Sequence, residues 1–69
     1  MIFEPGKLYH SHDSIWHNKS WLPPESIFIF LEKEPSNATW ISYKFIYKQE
    51  IVEFEFHVKR IMSEIFSEI

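Results

Sequence analysis

Three histidines and an aspartate lie close together near the start of the chain: His10, His12, Asp13 and His17. In an extended segment His10 and His12 project to the same face, because side chains alternate across a strand. Imidazole and carboxylate groups are ligands that transition metals take at about 2.0–2.2 Å. Histidines in polar loops are more often solvated residues, so we expect no metal or other cofactor. A metal-binding protein using His10, His12 and His17 is kept as an alternative.

Support for catalysis is weaker. Three serines lie near the histidines, but no glycine-flanked nucleophile elbow accompanies them. The acidic pairs Glu32/Glu34 and Glu53/Glu55 each share a strand face at i, i+2 spacing, which is typical of a solvated acidic surface. A chain of 69 residues also has little room for a concave pocket. We therefore predict that the protein is not an enzyme.

The aromatic residues offer a better prediction of function. Aromatics make up 19% of the chain, and tryptophan and tyrosine are enriched at interface hot spots because they bury a large area while keeping a polar group. Tyr43 and Tyr47 fall on an apolar stripe and are interpreted as core residues. We predict that Tyr9, Trp16, Trp21 and Trp40 bind a partner, with Trp16 and Trp21 held in a polar loop.

Composition narrows the classes of partner. The net charge is −3, with scattered lysines and arginines, whereas nucleic-acid domains usually carry a basic excess. The absence of cysteine excludes disulfides and thiol chemistry. The longest apolar run is five residues, 27–31, far short of the roughly 20 that a membrane span needs. We expect a protein partner, no nucleic acid and no membrane, in the cytoplasm of a cell (the host's, if the protein is viral).

The elements that must position these residues are mainly β. The length predicts a single domain over 1–69. Alternation and turn residues predict strands over 7–10, 26–34, 39–47 and 50–56, with the last three forming an antiparallel meander and 26–34 buried on both faces. The segment 11–25 between the first two strands is predicted to be a long irregular loop.

The end of the chain changes period. Apolar residues recur at helical spacing from Val58 to Ile69, which predicts a short amphipathic C-terminal helix from about 57 or 58 to about 67. A single helical turn followed by a closing strand over 65–69 is the alternative. The apolar stripe of such a helix can also pair with a second copy, so we expect a monomer or a homodimer.

The order of elements resembles a known family. The chain opens with Pro5-Gly6-Lys7-Leu8-Tyr9, and its long loop ends in Leu22-Pro23-Pro24; a strand carrying Trp40 and Phe45-Ile46-Tyr47 follows, and Glu68-Ile69 closes the chain. This resembles the small Src-homology-3-like (SH3-like) barrels of bacteriophages and bacteria. In that pattern 4–9 resembles the first strand, 22–32 resembles the start of the second strand, and 51–54 resembles the fourth strand.

The sequence departs from the family pattern at two places. Glu25-Ser26 stands where a glycine usually follows the proline pair, and the predicted terminal helix suits a curled antiparallel sheet better than a closed barrel. The resemblance implies a binding module without catalytic residues. We therefore expect a small protein-interaction module, such as a phage accessory protein that binds a host or viral protein through 11–25. A nucleic-acid-associated small barrel is the other alternative.

Overall fold

The fold is seen in a computed structural model that describes every residue, 1–69. It consists of seven strands and one three-residue 3-10 turn. The strands are β1 Leu8–Ser11, β2 Ile15–His17, β3 Ser20–Leu22, β4 Ile27–Pro35, β5 Trp40–Tyr47, β6 Glu50–His57 and β7 Phe66–Glu68, and the turn is Met62–Glu64. The prediction of a mainly β domain is confirmed. No helical segment of the chain is long and apolar enough to cross a membrane.

Five strands form one antiparallel sheet in the order β6-β5-β4-β1-β7. The predicted meander β4-β5-β6 is confirmed, with pairs such as Phe30↔Phe45 and Phe45↔Val52 in register. A bulge at Leu31 shifts the register between β4 and β5, and a bulge bends the strand that carries it. Short β7 pairs with β1 and closes the far side of the sheet.

The core is built largely from aromatic rings on the inner face of the sheet. Its ten residues are Phe3, Tyr9, Phe28, Phe30, Tyr43, Phe45, Val52, Phe54, Met62 and Phe66. Phe45 is fully buried, and its ring centroid lies 5.3–5.9 Å from those of Phe3, Phe28, Phe30, Phe54 and Phe66. This aromatic mass replaces the disulfides or metals that often hold so short a chain together.

The prediction that β4 is buried on both faces is wrong. Phe28 and Phe30 point into the core, whereas Ile27 is 53% exposed on the outer face. The continuous apolar run therefore lies on a one-sided sheet, and its outward Ile29 joins a row of apolar residues on neighbouring strands. Periodicity alone cannot separate these two cases, because both faces carry apolar side chains.

The C-terminal helix is also corrected. The segment forms only the 3-10 turn Met62–Glu64, followed by β7, which agrees with the alternative of a turn and a closing strand. Met62 and Phe66 are buried, but Val58, Ile61 and Ile69 of the predicted stripe are exposed. Pairing of β7 with β1 satisfies the backbone in place of helical hydrogen bonds.

Candidate functional site

The segment predicted to be an irregular loop contains a β-hairpin. Strands β2 and β3 pair in register, with Trp16 directly opposite Trp21. The connecting residues Asn18 and Lys19 both have positive φ, 49° and 64°. Two consecutive left-handed residues are the geometry of a type I′ turn, whose twist matches that of paired strands. The structure therefore fixes the two tryptophans on a paired scaffold.

The two indoles form an exposed pair. Their ring centroids lie 5.2 Å apart in an edge-to-face arrangement. Trp16 is 56% exposed and Trp21 is 64% exposed. Aromatic rings prefer this geometry, and the contact restricts the orientation of both side chains. The hairpin thus presents one preorganised aromatic surface to solvent.

The other face of the hairpin attaches it to the core. Ile15 and Leu22 pack against the aromatic cluster, and the His17 ring lies 5.3 Å from the ring of Phe54. Since side chains alternate along a strand, the partial burial of Ile15, His17 and Leu22 directs Trp16 and Trp21 outward. The exposure of the tryptophans therefore follows from hairpin register.

A surface cleft of about 290 Å³ opens beside Trp16. One wall comes from the chain entering the hairpin, and the other comes from the end of β6 and the 3-10 turn. Its lining residues are Asp13, Ser14, Ile15, Trp16, Phe56, Arg60, Glu64 and Ile65. The cleft therefore combines an apolar floor with charged groups, as ligand sites usually do.

The charges of the cleft are free of strong ion pairs. Asp13, Arg60 and Glu64 are exposed, and none of them forms an ion pair within 4.0 Å; the chain's ion pairs are Lys7–Glu4, Lys7–Glu68, His10–Glu25 and Lys44–Glu32. Unpaired side chains around an apolar floor can accept a partner's polar groups without first breaking internal contacts. Two carboxylates and one guanidinium leave the rim with a small negative excess.

Two of the predicted partner-binding residues, Tyr9 and Trp40, lie outside both the hairpin and the cleft. Tyr9 is only 1% exposed, and its hydroxyl accepts a hydrogen bond from the Glu4 backbone N–H at 2.7 Å, so it is a core residue. Trp40 is 40% exposed at the start of β5, with its ring 5.6 Å from that of His57. It makes no ring contact with Trp16 or Trp21.

The histidines do not converge on a metal site. His10 Nδ1 lies 2.8 Å from a Glu25 carboxylate oxygen, whereas His17 packs against the core. His12 Nδ1 lies 3.1 Å from the Glu64 carbonyl oxygen, which can only accept, so Nδ1–H is the donor there; Nε2 is hydrogen-bonded with the Ser67 hydroxyl. No group of three or more His, Asp or Glu side chains is placed to hold a metal ion. His12, directly after β1, thereby links this part of the chain to the 3-10 turn and to β7.

One wall of the cleft could not be predicted from the sequence. Arg60, Glu64 and Ile65 line it only because the segment after β6 makes a turn instead of the predicted helix. No protein-family model, curated protein or solved structure matches the chain. The function is therefore inferred from the geometry of the chain itself.

Proposed function

We propose that the protein is a small, non-enzymatic protein-interaction module that binds its partner with the Trp16–Trp21 pair and the adjoining cleft. The observation that carries the proposal is the exposure of both indoles, in contact with each other, on a paired hairpin. Tryptophan is among the residues most enriched at interface hot spots. Two neighbouring, solvent-exposed indoles gain more from burial against a partner than almost any other pair of side chains.

The cleft supports a peptide-like segment of the partner as the ligand. Its volume of about 290 Å³ suits one or two side chains, and its floor of Ile15, Phe56 and Ile65 favours apolar ones. Asp13 and Glu64 at the rim favour a neighbouring basic group. A partner that presents an apolar anchor beside a lysine or arginine fits this surface best.

The strand order supports an SH3-like arrangement, a fold that hosts many binding modules. The hairpin fills the long first connection, and a short turn precedes the last strand. The association with bacteriophages, and with a host or viral protein as the partner, rests on the sequence resemblance alone and stays a prediction.

The proposal is tested with the double variant Trp16→Ala/Trp21→Ala. Affinity capture from the source cell, followed by quantitative mass spectrometry, identifies proteins held by the unchanged chain and lost by the variant. We expect the purified partner to bind the variant at least about 30-fold more weakly, since hot-spot truncation costs about 2 kcal/mol or more. Calorimetric titration measures the dissociation constants.

Ile2→Ala serves as the control, because Ile2 is a largely exposed apolar residue outside both the hairpin and the cleft. Both variants should keep the far-ultraviolet dichroism of the unchanged chain, since the side chains that they remove are largely at the surface. If the double variant binds every captured protein as tightly as the Ile2→Ala control does, the hairpin is not the binding surface.

The exposed indole pair also favours a second function, binding of single-stranded nucleic acid. Bases stack on aromatic side chains with little sequence preference, and Lys19 lies at the hairpin tip beside the pair. The net charge of −3 opposes this function. Quenching of indole fluorescence by oligothymidylate at low salt tests it, and an unchanged emission spectrum eliminates it.

A further inference from the structure

The outer face of the sheet carries cross-strand rows of side chains that the proposed function does not use. The register places Glu32, Lys44 and Glu53 in one row, and Glu34, Ser42 and Glu55 in the next. Beyond them, Trp40 and His57 form a third row at the end of β5 and β6. The face therefore holds four carboxylates against one ammonium group.

The row through Ser42 contains an unexplained buried polar atom. Ser42 is 4% exposed, and its hydroxyl oxygen has no hydrogen-bond partner. A buried polar group of this kind costs free energy unless it is paired, so native proteins rarely leave one without a reason. The hydroxyl lies on the same face as Glu34 and Glu55, directly between them in the sheet.

No lysine, arginine or histidine of the chain forms an ion pair with Glu34 or Glu55. Lys44 lies 3.3 Å from a Glu32 carboxylate oxygen, and this contact raises the pKa of Lys44, with smaller contributions from Glu53 and Glu34. Lys33 points to the opposite face, with its ammonium 5.9 Å from the Tyr43 ring centroid. Glu34 and Glu55 consequently make no ion pair within 4.0 Å. Glu55 only accepts a hydrogen bond from the Ser36 hydroxyl at 3.3 Å.

We infer that this outer-face site, formed by Glu34, Ser42, Glu55 and Trp40, binds the guanidinium group of an arginine on a protein partner. Neighbouring strands lie about 4.8 Å apart, so the backbones of β4 and β6 stand roughly 10 Å apart, with Ser42 midway. A guanidinium has five N–H donors in one plane and no acceptor. It can therefore donate to both carboxylates and to the serine oxygen, while the Trp40 ring offers a π surface.

An apolar row on the same face favours a protein segment over a small free cation. Ile46 lies four residues along β5 from Ser42, which corresponds to about 13 Å in a strand. Its neighbours in the register are Ile51 and Ile29, and Leu8 on β1 continues the row. Ile51 is 70% exposed. An extended segment with an arginine and, four residues away, an isoleucine can occupy both places.

The test uses synthetic peptides and ¹⁵N-labelled protein, with amide chemical shifts followed by NMR. The first peptide has a single arginine among glycines, the second replaces that arginine with citrulline, and the third adds an isoleucine four residues from the arginine. We expect the arginine peptide to shift the Ser42 amide and the Trp40 indole signal, and citrulline, which is isosteric but neutral, to leave them in place. The isoleucine should tighten binding at least about fivefold by burial on the apolar row.

The decisive variant is Glu34→Gln/Glu55→Gln, compared with Glu25→Gln/Glu50→Gln, which removes the same charge from exposed positions outside both the outer-face site and the cleft. We expect binding to fall at least tenfold in the first variant and less than twofold in the second. Ser42→Ala should weaken binding severalfold without lowering the melting temperature, because the hydroxyl is unpartnered in the free chain. Equal shifts with arginine and citrulline, equal loss in both double variants, or no gain from isoleucine would overturn the inference.

The outer-face site does not rest on the proposed function, because it shares no residue with the hairpin or the cleft. Trp16→Ala/Trp21→Ala should therefore leave arginine-peptide binding unchanged. Failure of the hairpin to bind a partner leaves this inference standing, and failure of the peptide titration leaves the proposed function standing.

Discussion

At the scale of single residues, Tyr43 shows how burial in the aromatic core acts on chemistry. Burial raises the pKa of its phenol above the ordinary value of 10.0, because a phenolate loses its hydration in the core. The pKa values of two lysines are also raised, but hydrogen bonds to carboxylates are the cause. Hydrogen bonds to Glu4 and then to Glu68 raise the pKa of Lys7, and a hydrogen bond to Glu32 raises the pKa of Lys44.

The raised pKa values of Tyr43, Lys7 and Lys44 predict that the protein loses stability at alkaline pH. A group whose pKa is higher in the folded state contributes its full stability below its unfolded pKa and loses it as pH rises through the folded value. The free energy of unfolding should therefore be insensitive to these groups below about pH 9 and fall above about pH 10. Thermal melts across that range measure the fall, and Tyr43→Phe should reduce it.

High salt distinguishes the alkaline loss caused by the lysine ion pairs from the loss caused by the burial of Tyr43. The ion pairs of Lys7 and Lys44 are exposed, so high salt screens them, whereas the burial of Tyr43 is unaffected. In molar salt the remaining alkaline loss should therefore come mainly from Tyr43, and Tyr43→Phe should nearly abolish it. An equal loss in the variant and the unchanged chain would show that burial does not raise the pKa of the Tyr43 phenol.

Residue type alone could not distinguish Tyr9 from the exposed tryptophans. Leu8 and Tyr9 are both apolar enough to be buried, and Leu8 is the more hydrophobic of the two. The sheet places Tyr9 opposite Phe28 inside the core, while Leu8 joins the outer apolar row. The inward face is decided by which strand pairs with β1, and that information is not local.

At the scale of elements, polar alternation correctly predicted β5 and β6 but missed the hairpin. Ile15 and His17, with Ser20 and Leu22, alternate over only three residues on each side of the turn. Asn18-Lys19 lacks the glycine that usually marks a two-residue connection. The C-terminal error has the opposite cause, because a clear helical stripe gave way to strand pairing with β1.

The edge strand β6 carries acidic side chains that oppose pairing with further copies, as the sequence already indicated. Strand β6 has eight residues, and only its β5 side is paired. Glu53 and Glu55 stand on its outer face, and charged side chains on an edge strand oppose pairing with further copies. The outer acidic residues can therefore protect the edge and, with Ser42, form the proposed arginine site.

The β5–β6 turn gives a prediction for an element. Lys48 and Gln49 both adopt positive φ, 49° and 68°, although side chains other than those of glycine and asparagine disfavour this region. Lys48→Asn/Gln49→Gly supplies the preferred type I′ pair. We expect the free energy of unfolding to rise by about 1 kcal/mol, which for a domain of this size raises the melting temperature by roughly 4–8 °C.

A control for this prediction is available in the other hairpin, where Asn18 already occupies the first position. Lys19→Gly alone should therefore complete the preferred pair, and its effect should be smaller because β2 and β3 have only three residues each. A lower melting temperature for Lys48→Asn/Gln49→Gly would mean that contacts of the present side chains outweigh the backbone strain. One such contact is that of Lys48 with the Tyr47 ring, at 5.5 Å.

At the scale of the whole molecule, the core is nearly a single aromatic cluster to which all five strands of the main sheet contribute. Phe3, ahead of β1, contacts Phe66 of β7 at 5.7 Å between centroids, and Phe28 of β4 contacts Phe54 of β6 at 5.8 Å. Strands that are far apart in the sheet therefore meet through rings. This arrangement predicts that the chain unfolds in one cooperative step, as small single domains usually do.

Phe45 gives this expectation a sharp test, because its ring lies among those of five other core residues. Phe45→Ala should cost about 3–5 kcal/mol from lost burial and the cavity left behind. A domain of 69 residues has a total stability of roughly 3–10 kcal/mol. We therefore expect this variant to be largely unfolded or to melt far below the unchanged chain, by dichroism and by calorimetry.

Phe45→Leu is the matched control, because it keeps an apolar side chain of similar size at the same place and should retain a cooperative melt at lower temperature. Ile51→Ala on the outer face, where the side chain is 70% exposed, should change the melting temperature little. If Phe45→Ala melts cooperatively within a few degrees of the unchanged chain, the ring cluster is not what holds the strands together. The sheet would then owe its stability to its hydrogen-bonded ladder and its outer rows.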